Sequence, residues 1–159
     1  MLGVTIIAVG KLKEVYFREA VAEYKKRLAA FCRFQIFELP ESRLPKEPSQ
    51  LEIEHSLLQE GRMMLSKIPG SAKTVALCIE GNTVSSENLA EILRQISREA
   101  PQVCFFIGSS HGLSSQVKQA ADFRISMSAM TFPHQLARVL LCEQLYRAFC
   151  IDTRRKYHK

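Results

Sequence analysis

Apolar runs and apolar stripes alternate along this chain, and their periods assign its elements. Val4 to Val9 is a nearly continuous apolar run ending at Gly10, which predicts a first strand. Phe17, Val21, Tyr24, Leu28 and Phe31 then recur at four- and three-residue steps, placing them on one face of a helix. Phe34 to Leu39 alternates apolar and polar positions and stops at Pro40, a second strand. Three prolines between Pro40 and Pro48 mark a surface loop. Ser49 and Glu52 have capping-box spacing ahead of a stripe of Ile53, Leu57, Gly61, Met64 and Ile68, which Pro69-Gly70 ends. Val75 to Ile79 predicts a third strand closed by Gly81, and Ser85 a cap for a helix with Leu89, Ile92, Leu93 and Ile96 inward. Val103 to Ile107 is unbroken apolar, as in a central parallel strand buried on both faces. A short helix over Leu113 to Ala121, a strand over Phe123 to Met127 and a last helix from His134 to Phe149 complete the series. Five β-α units imply an α/β fold, a parallel sheet flanked by helices, in a single domain spanning 1–159.

Composition narrows the class. Hydrophobic residues at 47% and charged residues at 24% are those of an ordinary globular chain. No apolar run reaches the roughly 18 residues of a membrane span, and the N-terminal segment lacks a basic leader. The expected location is cytoplasmic, with no membrane partner. The five cysteines have no C-x-x-C pair and lie among apolar neighbours, and the four histidines lack metal-site spacing, so core thiols and no metal are expected. The 22 basic residues against 16 acidic ones give a net charge of +6, with Arg154, Arg155, Lys156 and Lys159 crowded at the end. That surplus favours a polyanionic partner.

In open α/β sheets ligands bind beyond the carboxyl ends of the strands. The candidate loops are Glu80 to Ser86, Gly108 to Ser114 and Ser128 to Pro133, where Gly81, Gly108 and Gly112 allow close backbone approach and hydroxyls can read an adenosine. Gly10-Lys11-Leu12-Lys13 replaces the glycine-rich fingerprint of a Rossmann site, and no Walker lysine motif occurs. Gly108-Ser109-Ser110-His111-Gly112 matches the nucleophile elbow of a serine hydrolase, with Asp122 and His134 following in triad order. Against it, all three residues crowd into one short stretch, and no Gly-Gly segment stands upstream for an oxyanion. On the last helix, Leu136, Ala137, Leu140, Leu141, Leu145 and Ala148 form an apolar face interrupted by Arg138, Glu143 and Arg147. Glu143 and Arg147 are spaced to pair, and charges on so apolar a helix are expected to face a pocket or a subunit partner.

Ile107-Gly108, Gly112-Leu113, the run from Ser126 through Met130-Thr131-Phe132-Pro133-His134-Gln135 to Arg138, Glu143-Gln144-Leu145-Tyr146-Arg147-Ala148 and Tyr157-His158 resemble the signature of the RlmH family. Val9-Gly10-Lys11, Glu23-Tyr24 with Arg27-Leu28, and Gly81 with Ser85-Ser86-Glu87 extend the likeness over nearly the full chain. The family comprises SPOUT-class methyltransferases of large-subunit ribosomal RNA. The resemblance implies a C-terminal trefoil knot, a homodimer, S-adenosylmethionine as methyl donor and N3 of a pseudouridine as acceptor, with the assembled ribosome as the expected substrate. Carried onto this sequence, the cofactor contacts are Leu77, Gly108, Met127, Ser128, Ala129, Met130, Thr131 and Phe132. The catalytic candidates are Arg147, for electrostatic stabilisation, and His158 with Tyr157, for base orientation or proton removal. Two positions depart from the family's habit. Cys78 follows Leu77 where an acid is common, with Glu80 a possible substitute, and Ser109 follows Gly108 where a second glycine is common. The competing readings are a non-catalytic nucleotide- or RNA-binding protein and a serine hydrolase using Ser110.

Overall fold

The computed structural model describes residues 1–157. The strands are β1 (Gly3–Val9), β2 (Arg33–Leu39), β3 (Ala72–Thr83), β4 (Gln102–Ile107) and β5 (Phe123–Ser126), and the helices are α1 (Val15–Leu28), α2 (Gln50–Ser66), α3 (Ser86–Glu99), α4 (Ser115–Ala120) and α5 (His134–Asp152). The five strands form one sheet in the order β2-β1-β4-β3-β5, and every neighbouring pair is parallel. Alternate residues of the central strands feed two cores. Val4, Ile6, Phe105 and Ile107 meet α1, α3 and α5 on one face, whereas Ile7, Val9, Cys104 and Phe106 meet α2 and α4 on the other. Helix α5 lies between α1 and α3.

Local chemistry sets most of the element ends. Ser85 starts α3 with a full capping box, its Oγ accepting from Asn88 N–H at 3.1 Å while Asn88 Oδ1 accepts from Ser85 N–H at 3.2 Å. At α2 only half of the expected box forms: Ser49 Oγ accepts from Glu52 N–H at 3.2 Å, but Glu52 Oε1 accepts from the Ser49 hydroxyl rather than from its backbone. The inward face of α2 is also rotated from the expected stripe. Ile53 and Leu57 are half-buried, and the enclosed residues are Ser56, Glu60, Gly61 and Met64. A stripe of apolar positions cannot reveal a helix that buries polar ones.

Strand β3 corrects a second expectation. Gly81 does not close it; the strand continues to Thr83 through a register shift, pairing Leu77 with Ile125 before the shift and Asn82 with Ile125 after it. A side chain at Gly81 would stand 2.6 Å from the Ile125 carbonyl carbon, so glycine here permits close strand approach rather than a turn. Four of the five cysteines are buried in this fold. Burial pushes the thiols of Cys32 and Cys142 up to about 12 and that of Cys104 to about 11, which makes them packing groups rather than nucleophiles.

Candidate functional site

A cavity of about 670 Å³ opens at the carboxyl ends of β3, β4 and β5. Its walls are Leu77 to Glu80 from β3, Ile107 to Leu113 after β4, and Ile125 to Ser128 with Met130 to His134 from the chain that joins β5 to α5. The first wall is thus the strand itself, and Gly81 to Ser86 lie beyond it, because β3 runs farther than its sequence suggests. Side-chain hydrogen bonds shape the last wall: Ser126 Oγ donates to the Ser128 carbonyl at 2.9 Å, and Ser128 Oγ accepts from Met130 N–H at 3.0 Å. At Gly108 a Cβ would collide with the Gly112 carbonyl, so the turn closes only on a bare backbone. Gly112 N–H donates to Ser109 O at 2.9 Å across that turn. Ile79 and Met130, 70% and 75% exposed, form apolar lips at the mouth.

Of the proposed cofactor contacts, Leu77, Gly108, Met127, Ser128, Met130, Thr131 and Phe132 line this cavity. Ala129 is exposed and does not. The Glu80 carboxylate, considered as a substitute for the acid absent at Cys78, lines the cavity but is engaged by Lys118, which holds its pKa below the usual carboxylate range. His134 stands at the cavity's edge, where burial depresses its basicity below that of a free imidazole.

The hydrolase arrangement does not assemble. Asp122 accepts from Thr74 N–H at 2.8 Å and from the Thr74 hydroxyl at 2.9 Å, and it pairs with Lys73. It therefore pins the start of β5 to β3 instead of orienting His134. Sequence order mimicked a triad because the acid and imidazole follow the serine; the parallel register sends them to different jobs.

At the other end of α5, Glu143 is the hub of a second cluster. Its Oε1 accepts from Arg147 Nη2 at 2.6 Å and Nε at 2.9 Å, and its Oε2 accepts from the Tyr157 hydroxyl at 2.9 Å. The Arg147 guanidinium lies over the Tyr157 ring at 4.7 Å, and Tyr146 meets the same ring edge-on at 4.8 Å. Arg147 and Tyr157 are thus brought together. His158 lies outside the described residues. From His134 to Arg147 the helix rises about 20 Å, so this cluster and the cavity occupy opposite ends of α5 in one chain.

Arg138 lies away from that cavity and lines a second one, beside Lys11, Arg18 and Glu38. It is 1% exposed, donating to Glu38 Oε2 at 2.7 Å and to the Gly10 carbonyl at 2.9 Å. Glu38 also accepts from Leu12 N–H at 3.3 Å, and Gln135 Oε1 from Lys13 N–H at 3.1 Å. The first turn of α5 is therefore bolted to the loop between β1 and α1. Sequence reasoning missed this because Glu38 and Arg138 are a hundred residues apart.

Among the described residues, no three His, Cys, Asp or Glu side chains gather as a metal site, and no helix is long and apolar enough to cross a membrane. Comparison with known proteins adds relationship to geometry. The family model described as "Predicted SPOUT methyltransferase" matches residues 2–158. The chain is 42% identical over 159 residues to the Ribosomal RNA large subunit methyltransferase H of Clostridioides difficile, covering 99% of this chain and all of that protein. It is 44% identical, with the same coverage, to the protein of that name from Exiguobacterium sibiricum. The loop from Ser126 to Arg138 that closes the cavity and begins α5 is the segment on which the family likeness was densest, and with that correspondence extending end to end the chain belongs to the SPOUT methyltransferase family, in its RlmH branch.

Proposed function

We propose that this chain is a single-domain methyltransferase that transfers the methyl group of S-adenosylmethionine to N3 of a pseudouridine in large-subunit ribosomal RNA, acting on the assembled ribosome as a homodimer with a C-terminal trefoil knot. The observation that carries this reading is the cavity at the carboxyl ends of β3 to β5, walled by the segment most like the family, in a chain whose full-length relatives are named ribosomal RNA methyltransferases. The cavity fits such a donor. Its volume lies in the range of small-ligand sites, Leu77, Ile107, Met127 and Phe132 suit a purine, and Gly108 lets polar backbone approach the rest. S-adenosylmethionine supplies a methyl group activated on a sulfonium.

This chain's own residues position and adjust charge. The backbone at Gly108 and from Met127 to Phe132 orients the donor, so that acceptor and methyl meet at about 3 to 3.5 Å. N3 of the pyrimidine reacts once its proton has left, and a guanidinium near the ring favours the resulting anion; Arg147 is assigned that role. Burial, then the bond to Glu143, raises the Tyr157 phenol above its ordinary range, so Tyr157 stays protonated with its O–H held by Glu143, and its assigned role is to orient the base. Proton removal falls to His158 or to solvent.

The separation of the two clusters supports a dimer. Arg147 and Tyr157 cannot reach the cavity of their own chain along a straight helix, but a second copy laid across α5 brings its tail to that cavity. Leu136 and Leu140 on α5 are only half-buried and stand outside both cores, as a face awaiting a partner would. The knot is supported by family membership, by the placement of α5 between α1 and α3 after an edge strand, and by the bolt at Arg138.

The test is incubation with methyl-labelled S-adenosylmethionine and ribosomes, followed by mass spectrometry of the RNA. Label on a single large-subunit pseudouridine is expected. Binding of the donor without label in any ribosomal RNA would replace this reading with a non-catalytic one.

A further inference from the structure

A second cavity, of about 480 Å³, lies between β2, α1 and the loop after β1, and the donor site makes no use of it. Lys11, Arg18, Lys25 and Arg138 line it, against the single acid Glu38. That acid is engaged by Arg138 at 2.7 Å. Among the described residues, no carboxylate stands within ion-pair distance of Lys11, Arg18 or Lys25. Arg18 is fixed in place without being neutralised. Its Nη1 donates to the Leu12 carbonyl at 3.0 Å and to the Lys13 carbonyl at 2.8 Å, while Nε and Nη2 make no hydrogen bond among the described residues. The Nε of the enclosed Arg138 is likewise without a partner. Like charges gathered around one hollow repel each other, and a bound anion turns that repulsion into attraction.

Position narrows what the anion is. Arg138 lines this cavity, while His134 and Ala137, on the same first turn of α5, line the donor cavity, so the two hollows flank that turn. Gln135 Oε1 accepts from Lys13 N–H at 3.1 Å, which keeps the loop carrying Lys11 against it. We propose that the second cavity is a phosphate anchor for the RNA substrate, in which Lys11, Arg18 and Lys25 hold a backbone phosphate of a strand that continues across the start of α5 to the donor cavity. The proposal rests on the RNA reading of the chain and names the surface by which it docks. Lys11, Arg18 and Lys25 are exposed, as contact with a long polyanion requires. The free edge of the Arg18 guanidinium offers phosphate oxygens a fork of donors, and the two ammonium groups add point charges around it. Leu12, Val21 and Ile36 give the adjoining sugar or base an apolar surface. Such contacts carry no sequence information; they fix where the strand lies.

Co-sedimentation of the full-length protein with ribosomes over a series of salt concentrations tests this. A Lys11→Gln/Lys25→Gln variant is expected to bind about tenfold more weakly near 0.1 M salt, with the slope of log affinity against log salt shallower by about 1.5. Its Kd for S-adenosylmethionine should equal that of the wild type in calorimetry. In methyl transfer its KM for ribosomes should rise while kcat holds. Lys26→Gln/Lys46→Gln removes two exposed charges that lie outside the cavity and should leave affinity and slope near wild type. Wild-type ribosome binding by the cavity variant, or an equal loss in the Lys26/Lys46 control, overturns the proposal. Titration with uridine 5′-monophosphate, read from the Leu12 and Val21 amide resonances, separates a strand from a free nucleotide. Millimolar affinity is expected, and a micromolar Kd would reassign the cavity to a small ligand. Ribosome binding by the wild type without methyl transfer would end the methyltransferase reading and leave the anchor standing, whereas a wild type that does not bind ribosomes overturns the anchor.

Discussion

Arg138 is the largest completely enclosed side chain, and it shows what one residue contributes when its partners lie on other elements. Its guanidinium joins Glu38 at the end of β2 to the carbonyl of Gly10 after β1, so removing it leaves the carbonyl unpaired and a cavity in the core. Arg138→Ala is expected to lose about 2–4 kcal/mol in urea unfolding, with Glu38→Gln losing about 3 kcal/mol because it leaves the enclosed guanidinium without its carboxylate. Asp122 contributes through its charge. Burial opposes ionisation there, but the Thr74 N–H and hydroxyl and the Lys73 ammonium outweigh it, holding the carboxyl below its usual range. A carboxyl lowered on folding stabilises the protein above the unfolded value and ceases to as pH falls through the folded one. Below about pH 4 the wild type should therefore lose stability more steeply than Asp122→Asn, as urea midpoints measured across the acid limb will read.

At the scale of the elements, one glycine and a shifted register set where β3 and β5 lie. Gly81 lets β3 continue beside β5 past the point where the ladder slips, and this pairing fixes where the loop from Met127 begins. Gly81→Ala would drive a methyl group into the Ile125 backbone and is expected to cost about 2 kcal/mol or more, together with loss of ligand binding in the cavity. Thermal unfolding and calorimetry on the same variant separate the two effects. Strand and helix identities were legible from period alone, since the apolar run of β4 and the capped stripe of α3 leave little choice. The extent of β3 was not legible, because a glycine that ends a strand and one that allows another strand to approach look alike in sequence.

At the scale of the whole molecule, the candidate cofactor cavity and the proposed catalytic cluster stand at opposite ends of α5. The cavity lies at its start, and Glu143, Arg147 and Tyr157 gather near its end. If each active site takes its tail from the other subunit, an inactive Gly108→Val chain and an inactive Arg147→Ala chain should restore activity when refolded together. Random pairing makes half the dimers mixed, each with one intact site, so recovery of about a quarter of wild-type activity is expected. Recovery at background level would mean that each chain completes its own site.

The amino-acid order alone determined the number and kind of elements, the parallel α/β class and, through the Ser126 to Arg138 segment, the family. Those properties are written in periods of two and 3.6 and in contiguous motifs, which need no knowledge of distant residues. Tertiary structure decided that Asp122 ties strands rather than serving Ser110, that Arg138 bolts α5 to the loop after β1, and that α2 buries Glu60. Each of these depends on a contact between residues far apart in the chain. A side chain's role is set by the neighbours that folding brings to it, and the sequence does not name them.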